Sequence, residues 1–471
     1  MAQINTRQAT GPGKIKNIQI FSNTNPKKSV FLTDLIIDSF KYYESLFQDV
    51  IHASVTYIDS GGTIKAKGGT ELTTAVAGLP ITGSEKVNLL FEDPNEEEIE
   101  VTLYVNNVTE IVVDSTKSMV TLSMNSIELF NNDKIRLNTR FDGKISGHIE
   151  KILKGGKSET GDSLETEKEV DIEKTVGEYN KAFTNKKPFY MMNYFSTRAV
   201  PEGGQGNSAG FLLWETSEGF HFKSIDKLFG QKEKKSIIFN ETPGNPPAGY
   251  DIKALTFDKE NRNDIKSKFD QGTYATRLIT FDPFTLNYEV SYLNAGNKKQ
   301  SGPKQKGNED SVNKAAEEMP KLSGDIKSAK GGQNDFSRTT FQVLDTGSIP
   351  QGKTKSGVDQ TDDRTGGNEQ VEKKEDKNAK PGETLNQAIM RLNQMNTMKI
   401  SMTLPGDFTL HAGDSVKVDS PQLSAARQSR KRQKVDDQTG GLYIIRDLCH
   451  YMTKDVTYTK VNVVRDSFGR K

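Results

Sequence analysis

Between Ile18 and about Phe130, apolar and polar residues alternate with a period of two in HASVTYID, VNLLFED, EIEVTLYVNNV and SMVTLSMNSIELF. Successive side chains on a strand point to opposite faces, so such runs read as half-buried strands. Turn-forming stretches such as DSGG and EDPNEE separate them. The pattern predicts an antiparallel sheet rolled into an N-terminal β-barrel over residues 1–144. One interruption, TDLIIDSFKYYESLF, sets Leu35, Ile36, Phe40 and Tyr43 near helical spacing, and an apolar strand followed by a turn fits the same letters.

The periodicity then changes, and an α+β middle domain is predicted over residues 145–272. SGHIEKILKGG reads as a short helix with a glycine stop, and KTVGEYNKAFTNKKPFYMMNYFSTRAV as a longer helix-biased stretch. In GFLLWETSEGFHFKSIDKLFG, Phe211, Leu213, Phe220 and Phe222 alternate about a Ser-Glu-Gly turn, which predicts a hairpin followed by a helix capped by Ser224. TYATRLITFD, turning at Pro283 into FTLNYEVSYL, predicts strands over residues 273–294 that join a second barrel. Residues 295–384 are dominated by Lys, Gly, Asn, Asp, Gln and Ser, too little apolar surface to offset the entropy of ordering; a flexible polar insertion with one strand near 338–347 is expected. Residues 385–471 are expected to complete the second barrel. They open with a core-facing helix carrying Leu385, Ile389, Leu392 and Met395, followed by the strand-like runs FTL, DSVKVD, GLYIIRDLCHYM and VTYTKVNVVRDS. The predicted fold class is mainly β with an α+β middle domain and two antiparallel β-barrel domains per protomer.

Composition narrows the picture. Of 471 residues, 33% are hydrophobic, 27% charged and 40 are glycine, which favours several small domains with extensive surface over a single large enzyme core. A formal net charge of +1 offers no global attraction to nucleic acid or an anionic membrane. A single cysteine, Cys449, excludes an internal disulfide framework and multi-cysteine metal sites, and fits assembly in a reducing cytoplasm. No apolar h-region follows the N-terminal charges and no apolar run of membrane-spanning length occurs, so a soluble, non-exported chain is expected.

Candidate chemistry is sparse. LPGDFTLHAGDSVKVD, Leu404 to Asp419, places His411 among aspartates and glycines, yet His52, His148, His221, His411 and His450 are scattered without metal-ligand spacing. HAGD instead supplies a glycine for positive φ and an aspartate for side-chain bonding, as a tight turn requires. Paired carboxylates at Glu96 to Glu98, Asp171 to Glu173 and Asp436 to Asp437 are sequence neighbours in exposed loops, a poor match to glycoside hydrolysis. Gly203, Gly204 and Gly206 resemble a phosphate loop but lead into no good helix. Arg427, Arg430, Lys431, Arg432 and Lys434 form a basic cluster that Asp436 and Asp437 balance in a solvated loop. Cys449 and His450 are adjacent on a predicted strand and so face opposite ways, which defeats an imidazole-activated nucleophile. No catalytic, cofactor-binding or metal-binding residue is assigned.

The order of segments carries a resemblance. LPGDFTLHAGDSVKVDSPQ followed by GGLYIIRDLCHYMTKDVTYTKVNVVRDSFGRK resembles the C-terminal barrel of baseplate central hub proteins of large contractile-tailed bacteriophages. NKKPFYMMNYFSTRAVP, AGFLLWETSEGFHFKSIDKLF and TYATRLITFDPFTLNY resemble segments of that family's middle region. The resemblance covers chiefly Ile145 to Leu293 and Leu385 to Lys471 and rests on structural signatures. It implies a non-enzymatic virion protein in the tail baseplate, without cofactor. The protein would form a homotrimeric ring whose two tail-tube-like barrels per protomer give six similar positions. Its implied partners are the central spike protein, the tail tube protein, the baseplate wedge proteins and, at a further remove, the tape measure protein, with DNA passing through the lumen without specific binding. Rival readings are a spike-base protein of a related contractile injection or secretion particle, and a tail-associated murein hydrolase.

Overall fold

The computed structural model describes residues 11–25, 27–60, 64–65, 72–79, 81–113, 116–155, 163–203, 208–240, 245–261, 264–281, 286–294, 323, 336–343, 381–422, 435–436 and 439–466. The alternating N-terminal runs form strands β1 (Lys14–Phe21), β2 (Ser29–Phe31), β3 (Ile36–Ser45) and β4 (His52–Asp59), a small pair β5 (Ile64–Lys65) and β6 (Leu72–Thr73), helix α1 (Ala75–Gly78), then β7 (Lys86–Glu92), β8 (Glu98–Val112) and β9 (Ser118–Asn125). The ambiguous stretch is one 3-10 turn, Leu32–Asp34, followed by β3, so the strand alternative holds there.

Hydrogen bonding runs β3, β4, β9, β8, β7, β1, β2 in order. Phe40 on β3 and Phe91 on β7 have ring centroids 4.7 Å apart although four strand spacings separate them. On a flat sheet that would be about 19 Å, so the sheet curls tightly around its core. Phe40, Val55, Leu89, Leu103 and Leu122 fill the inside of the curl.

The middle region holds α2 (Ile127–Lys134), β10 (Arg140–Phe141), α3 (Ile145–Leu153), β11 (Val170–Ile172), β12 (Lys181–Ala182), α4 (Pro188–Ser196), β13 (Phe211–Thr216), β14 (Gly219–Ser224) and α5 (Ile225–Phe229). The expected hairpin pairs Leu213 with Phe222 and Glu215 with Phe220, and the Ser224 hydroxyl accepts from Lys227 N at 3.1 Å, capping α5. Alternation explains the strands and the free N–H groups of a first helical turn explain the cap. The long helix-biased stretch yields only the nine residues of α4, which start at Pro188, a residue suited to the first helical position.

Next come β15 (Lys235–Ile238), β16 (Ile252–Lys253), β17 (Thr256–Asn261), α6 (Ile265–Asp270), β18 (Ala275–Phe281), β19 (Tyr288–Asn294), β20 (Arg338–Val343), α7 (Pro381–Met395), β21 (Met398–Pro405), β22 (Ser415–Asp419), β23 (Gly441–Met452) and β24 (Thr457–Arg465). β23 joins the halves. Along one edge its first residues pair with β22 and its residues from Asp447 to Met452 pair with β3, while β24 pairs along the other edge. The result is one 14-stranded sheet with two curled regions.

Several expectations need correction. The strands over residues 273–294 do not enter the C-terminal sheet; β18 and β19 form a separate three-stranded sheet with β20. Their place is taken by β15, β16 and β17, from inside the range assigned to the middle domain. Alternation identifies a strand and its faces but carries no label for its partner, and the pairings of β15 with β22 and of β18 with β20 are parallel and long-range. The middle core also reaches back before residue 145, since Leu137 and Phe141 belong to it. FTL is a turn: the Asp407 carboxylate accepts from Thr409 N at 3.0 Å, and the strand is the preceding KISMTLP run within β21. The strand order is open, without a closed ring of laddered strands among the described residues. Pro283, the basic cluster at residues 427–434 and most of residues 295–384 lie outside the described residues.

Candidate functional site

One group of buried chemistry-bearing side chains, Glu44, His411 and His450, lies at the seam between the two curled regions. β3 carries Phe40, Tyr42 and Glu44 on its inward face, so alternation delivers a carboxylate into the interior. Glu44 is 1% exposed. It accepts hydrogen bonds from Tyr42 Oη at 2.8 Å, Ser217 N at 2.9 Å and Ala412 N at 3.0 Å, and its Oε1 lies 3.3 Å from His411 Nδ1. Burial pushes the Glu44 carboxyl up, but bonds from His411, Ala412 and Ser217 outweigh it and hold the group below its ordinary value. Burial lowers His411, and the Glu44 carboxylate more than restores it, so the imidazole is held above its usual range. This ion pair ties β3 to the turn before β22 and to the β13–β14 turn.

The stretch Leu404 to Asp419 is therefore the end of β21, two turns and β22. Asp414 Oδ2 accepts from His411 N at 2.8 Å, and Gly413 has φ +94°. A Cβ at Gly413 would lie 2.7 Å from the Trp214 ring, and the indole N–H donates to Ala412 O at 3.0 Å. Trp214, Leu46, Ile225, Met395 and Ile444 make a cluster that joins the middle region, α7 and β23.

His450 faces the same interior, with Tyr42 stacked at 6.0 Å and Phe408 at 4.5 Å between centroids. Full burial drives its pKa down to about 3, so it is neutral. Cys449 points the other way, into a groove of about 610 Å³ shared with Tyr43, His52 and Lys460. Burial pushes its thiol up, away from the thiolate that nucleophilic chemistry needs. The strand geometry thus separates the two as alternation requires.

A second buried network lies beside the first. Glu215 on β13 accepts from Ile51 N at 3.0 Å, Ser126 Oγ at 2.9 Å and Lys168 Nζ, and Glu128 accepts from Thr166 Oγ1 at 2.6 Å and Lys168 Nζ at 2.8 Å. Burial and the neighbouring Glu128 raise the Glu215 carboxyl against the pull of Lys168. Desolvation of Lys168 is outweighed by its two carboxylates, and its pKa is raised. These groups line a cavity of about 600 Å³, but each buried carboxylate is engaged by donors that clamp the N-terminal sheet to the middle region.

Of the carboxylates noted in the sequence, Asp437 lies outside the described residues, and the described ones meet separate partners. Glu98 meets Lys16, Asp171 meets Lys223 at 2.6 Å, Glu173 accepts from Ser224 N at 2.7 Å, and Asp436 accepts from Thr439 Oγ1 at 2.6 Å. No group of three or more metal-ligating side chains occurs among the described residues. Sequence reasoning missed Glu44, Glu215 and Arg391, which contacts both Asp226 and Asp466. The available signal was a charge on the apolar face of a strand or helix.

The fold and its seam define a mainly β chain organised around one shared sheet. No family model matches the chain, and no curated protein matches it. Among solved structures, the chain is similar to the tail protein from Neisseria meningitidis MC58, with TM-score 0.50 and 8% identity, over 96% of this chain and 96% of that one. The 43 kDa tail protein of prophage MuSo2 from Shewanella oneidensis aligns with TM-score 0.48 and 9% identity over 97% and 100% of the two chains. A type VI secretion system component of E. coli aligns with TM-score 0.40 and 6% identity over 93% and 76%. At such identities the Neisseria likeness speaks for the fold alone.

Proposed function

We propose that the chain is a non-enzymatic virion protein of a phage tail baseplate, its central hub. The supporting observation is that a fold shared with a tail protein runs through 96% of both chains. In this reading the curled N-terminal sheet and the C-terminal strands β15–β17 and β21–β24 are two tube-like barrels. The C-terminal one gains support from the segment of β16 and β17, which pairs with β15 at its start and with β21 further on, bridging both ends of that strand series. The N-terminal curl is bridged by Gly13 N donating to Thr457 Oγ1 at 2.7 Å and Phe408 N donating to Asp93 Oδ2 at 3.0 Å.

Three copies would present six barrels, letting a threefold spike below meet a hexameric tube above. The homotrimer would contact the spike, tube and wedge proteins, with the tape measure protein as a further contact, and would leave a lumen for DNA. A net charge of +1 suits a wall that DNA must pass without binding. The seam networks fit this role, because a rigid angle between two barrels sets the geometry of the ring.

Tube subunits polymerised with and without the purified chain test the proposal. Short tubes carrying the chain at one end, formed with a reduced lag, are expected. Unchanged polymerisation with no bound chain, or cell-wall lysis in a zymogram, contradicts it.

A further inference from the structure

One half-exposed sheet face runs across both curled regions. Cys449 pairs with Tyr43 and Lys460, Tyr451 with Lys41 and Tyr458, Lys41 with Ser54, and Ser54 with Ser123. Paired residues share a face, so β24, β23, β3, β4 and β9 present one surface, and Lys460 pairs with Thr403 to extend it onto β21. Their strand neighbours Phe40, Val55, Leu448 and Val461 are buried on the other side. Six strands at about 4.8 Å spacing make a surface about 24 Å wide.

Charge on this face is one-sided. Between β24 and β9, Asp447 is the one carboxylate among the residues paired on it, and Arg446 Nη2 and Ser45 Oγ, each at 2.6 Å, already engage that group. Elsewhere Lys168, Lys223 and Lys234 each meet a carboxylate. Lys41 and Lys460 form no salt bridge among the described residues; each ammonium instead stands over the Tyr451 ring, 5.8 and 5.2 Å from its centroid. Their strands β3 and β24 flank β23, which sets the two cations about 10 Å apart. Both line the groove of about 610 Å³, where Gln48, Ser54 and Asn462 add neutral polar groups.

Cores of protein interfaces are depleted in Lys and Ser, so this surface is a poor seat for another subunit. A polyanion suits it. Duplex nucleic acid carries a charge about every 1.7 Å along its axis, so both ammoniums find phosphates in any register, without reading a base. We propose that this face takes the phosphate backbone of a nucleic-acid duplex, with Lys41 and Lys460 supplying the contacts. The inference rests on the channel in the hub reading above and names the surface that the DNA meets. Two cations per copy guide a duplex that salt readily frees, which allows passage without capture.

A labelled short linear duplex, which can enter a ring end-on, is titrated with the full chain between about 50 and 200 mM salt and followed by fluorescence anisotropy. Binding should be weak, indifferent to base sequence and lost as salt rises. Lys41→Gln with Lys460→Gln should bind more weakly, with a double-logarithmic salt slope smaller by about 2 per contacting copy, while Lys41→Arg with Lys460→Arg should keep the slope. Lys86→Gln with Lys232→Gln makes the same charge change at exposed sites off the face and should leave the slope as it is. Circular dichroism and light scattering check fold and assembly; if the Gln pair does not fold, Lys460→Gln alone, at an exposed site, replaces it with half the change. A folded chain that binds no duplex at low salt, a Gln pair with an unchanged slope, or an equal loss in the off-face pair overturns the contact and leaves the ring reading standing. Inorganic phosphate that displaces the duplex at constant ionic strength shows a small-anion pocket and also overturns it. A chain that is monomeric at every concentration overturns the ring reading, while the slopes of the variants still decide the contact.

Discussion

Substituting Gly413 by alanine probes the seam at its tightest point. Gly413 sits at φ +94°, and an added Cβ would lie 2.7 Å from Trp214 Cζ2, 3.2 Å from Cε2 and 3.5 Å from Leu46 Cδ2. Trp214 cannot retreat freely, being 2% exposed and bonded through its indole to Ala412 O. Gly249 provides a matched control, with the same φ of +94° and no neighbour within 4 Å of its added Cβ. Left-handed backbone costs a non-glycine residue about 1–2 kcal/mol at either position. Overpacking adds about 1–3 kcal/mol at Gly413 alone. Gly413→Ala should therefore destabilise by about 2–5 kcal/mol and Gly249→Ala by about 1–2 kcal/mol. Trp214 is the single tryptophan, so urea unfolding followed by its fluorescence reports the seam directly. Equal shifts for the two variants would refute the close contact, since only packing distinguishes them.

Glu44→Leu leaves the donors of Tyr42, Ser217, Ala412 and His411 without their acceptor and should cost about 3–5 kcal/mol in the same assay; a loss below about 1 kcal/mol would contradict the network. The ion pair also has a pH signature. The stabilisation carried by the depressed Glu44 is present above its unfolded value of 4.5 and lost as pH falls through the folded one, while that of the raised His411 is present below 6.5 and lost as pH rises through its folded value. His450 acts oppositely to His411. The unfolded chain protonates it below pH 6.5 but the folded chain only near pH 3, so acidification between them favours unfolding. That group alone should remove about 2 kcal/mol between pH 6.5 and 5, and His450→Gln should flatten this part of the stability profile; an unchanged slope would show that His450 is not held neutral. Arg391→Met should cost about 3–5 kcal/mol by leaving Asp226 and Asp466 buried without their cation, and a neutral effect in denaturant titration would count against that triad.

Much of the architecture was legible because its cause is local. The alternation of HASVTYID and SMVTLSMN gave strands whose inward residues Val55, Tyr57, Val120 and Leu122 form the core, and Ser224 capped its helix as its hydroxyl chemistry requires. The glycine and aspartate of HAGD likewise announced a turn. Partner choice was not legible, because KSII and TFDKEN look like any short strands and enter the main sheet through contacts with residues some 140 to 180 positions away. The buried networks were half visible. Glu44 follows Phe40 and Tyr42 on an inward face, which flags a charge needing partners, but those partners, Ser217 and His411, come from distant turns that only the tertiary fold brings together.

The most direct test of the hub account is an end-on electron-microscopy average of the purified full-length chain, with its mass in solution measured alongside. The account predicts a ring with threefold outline and six similar lobes around a central opening, at three times the protomer mass of 52.3 kDa. A compact monomer, a two-fold dimer, or a ring whose lobes number only three and differ from the barrel pair would contradict it.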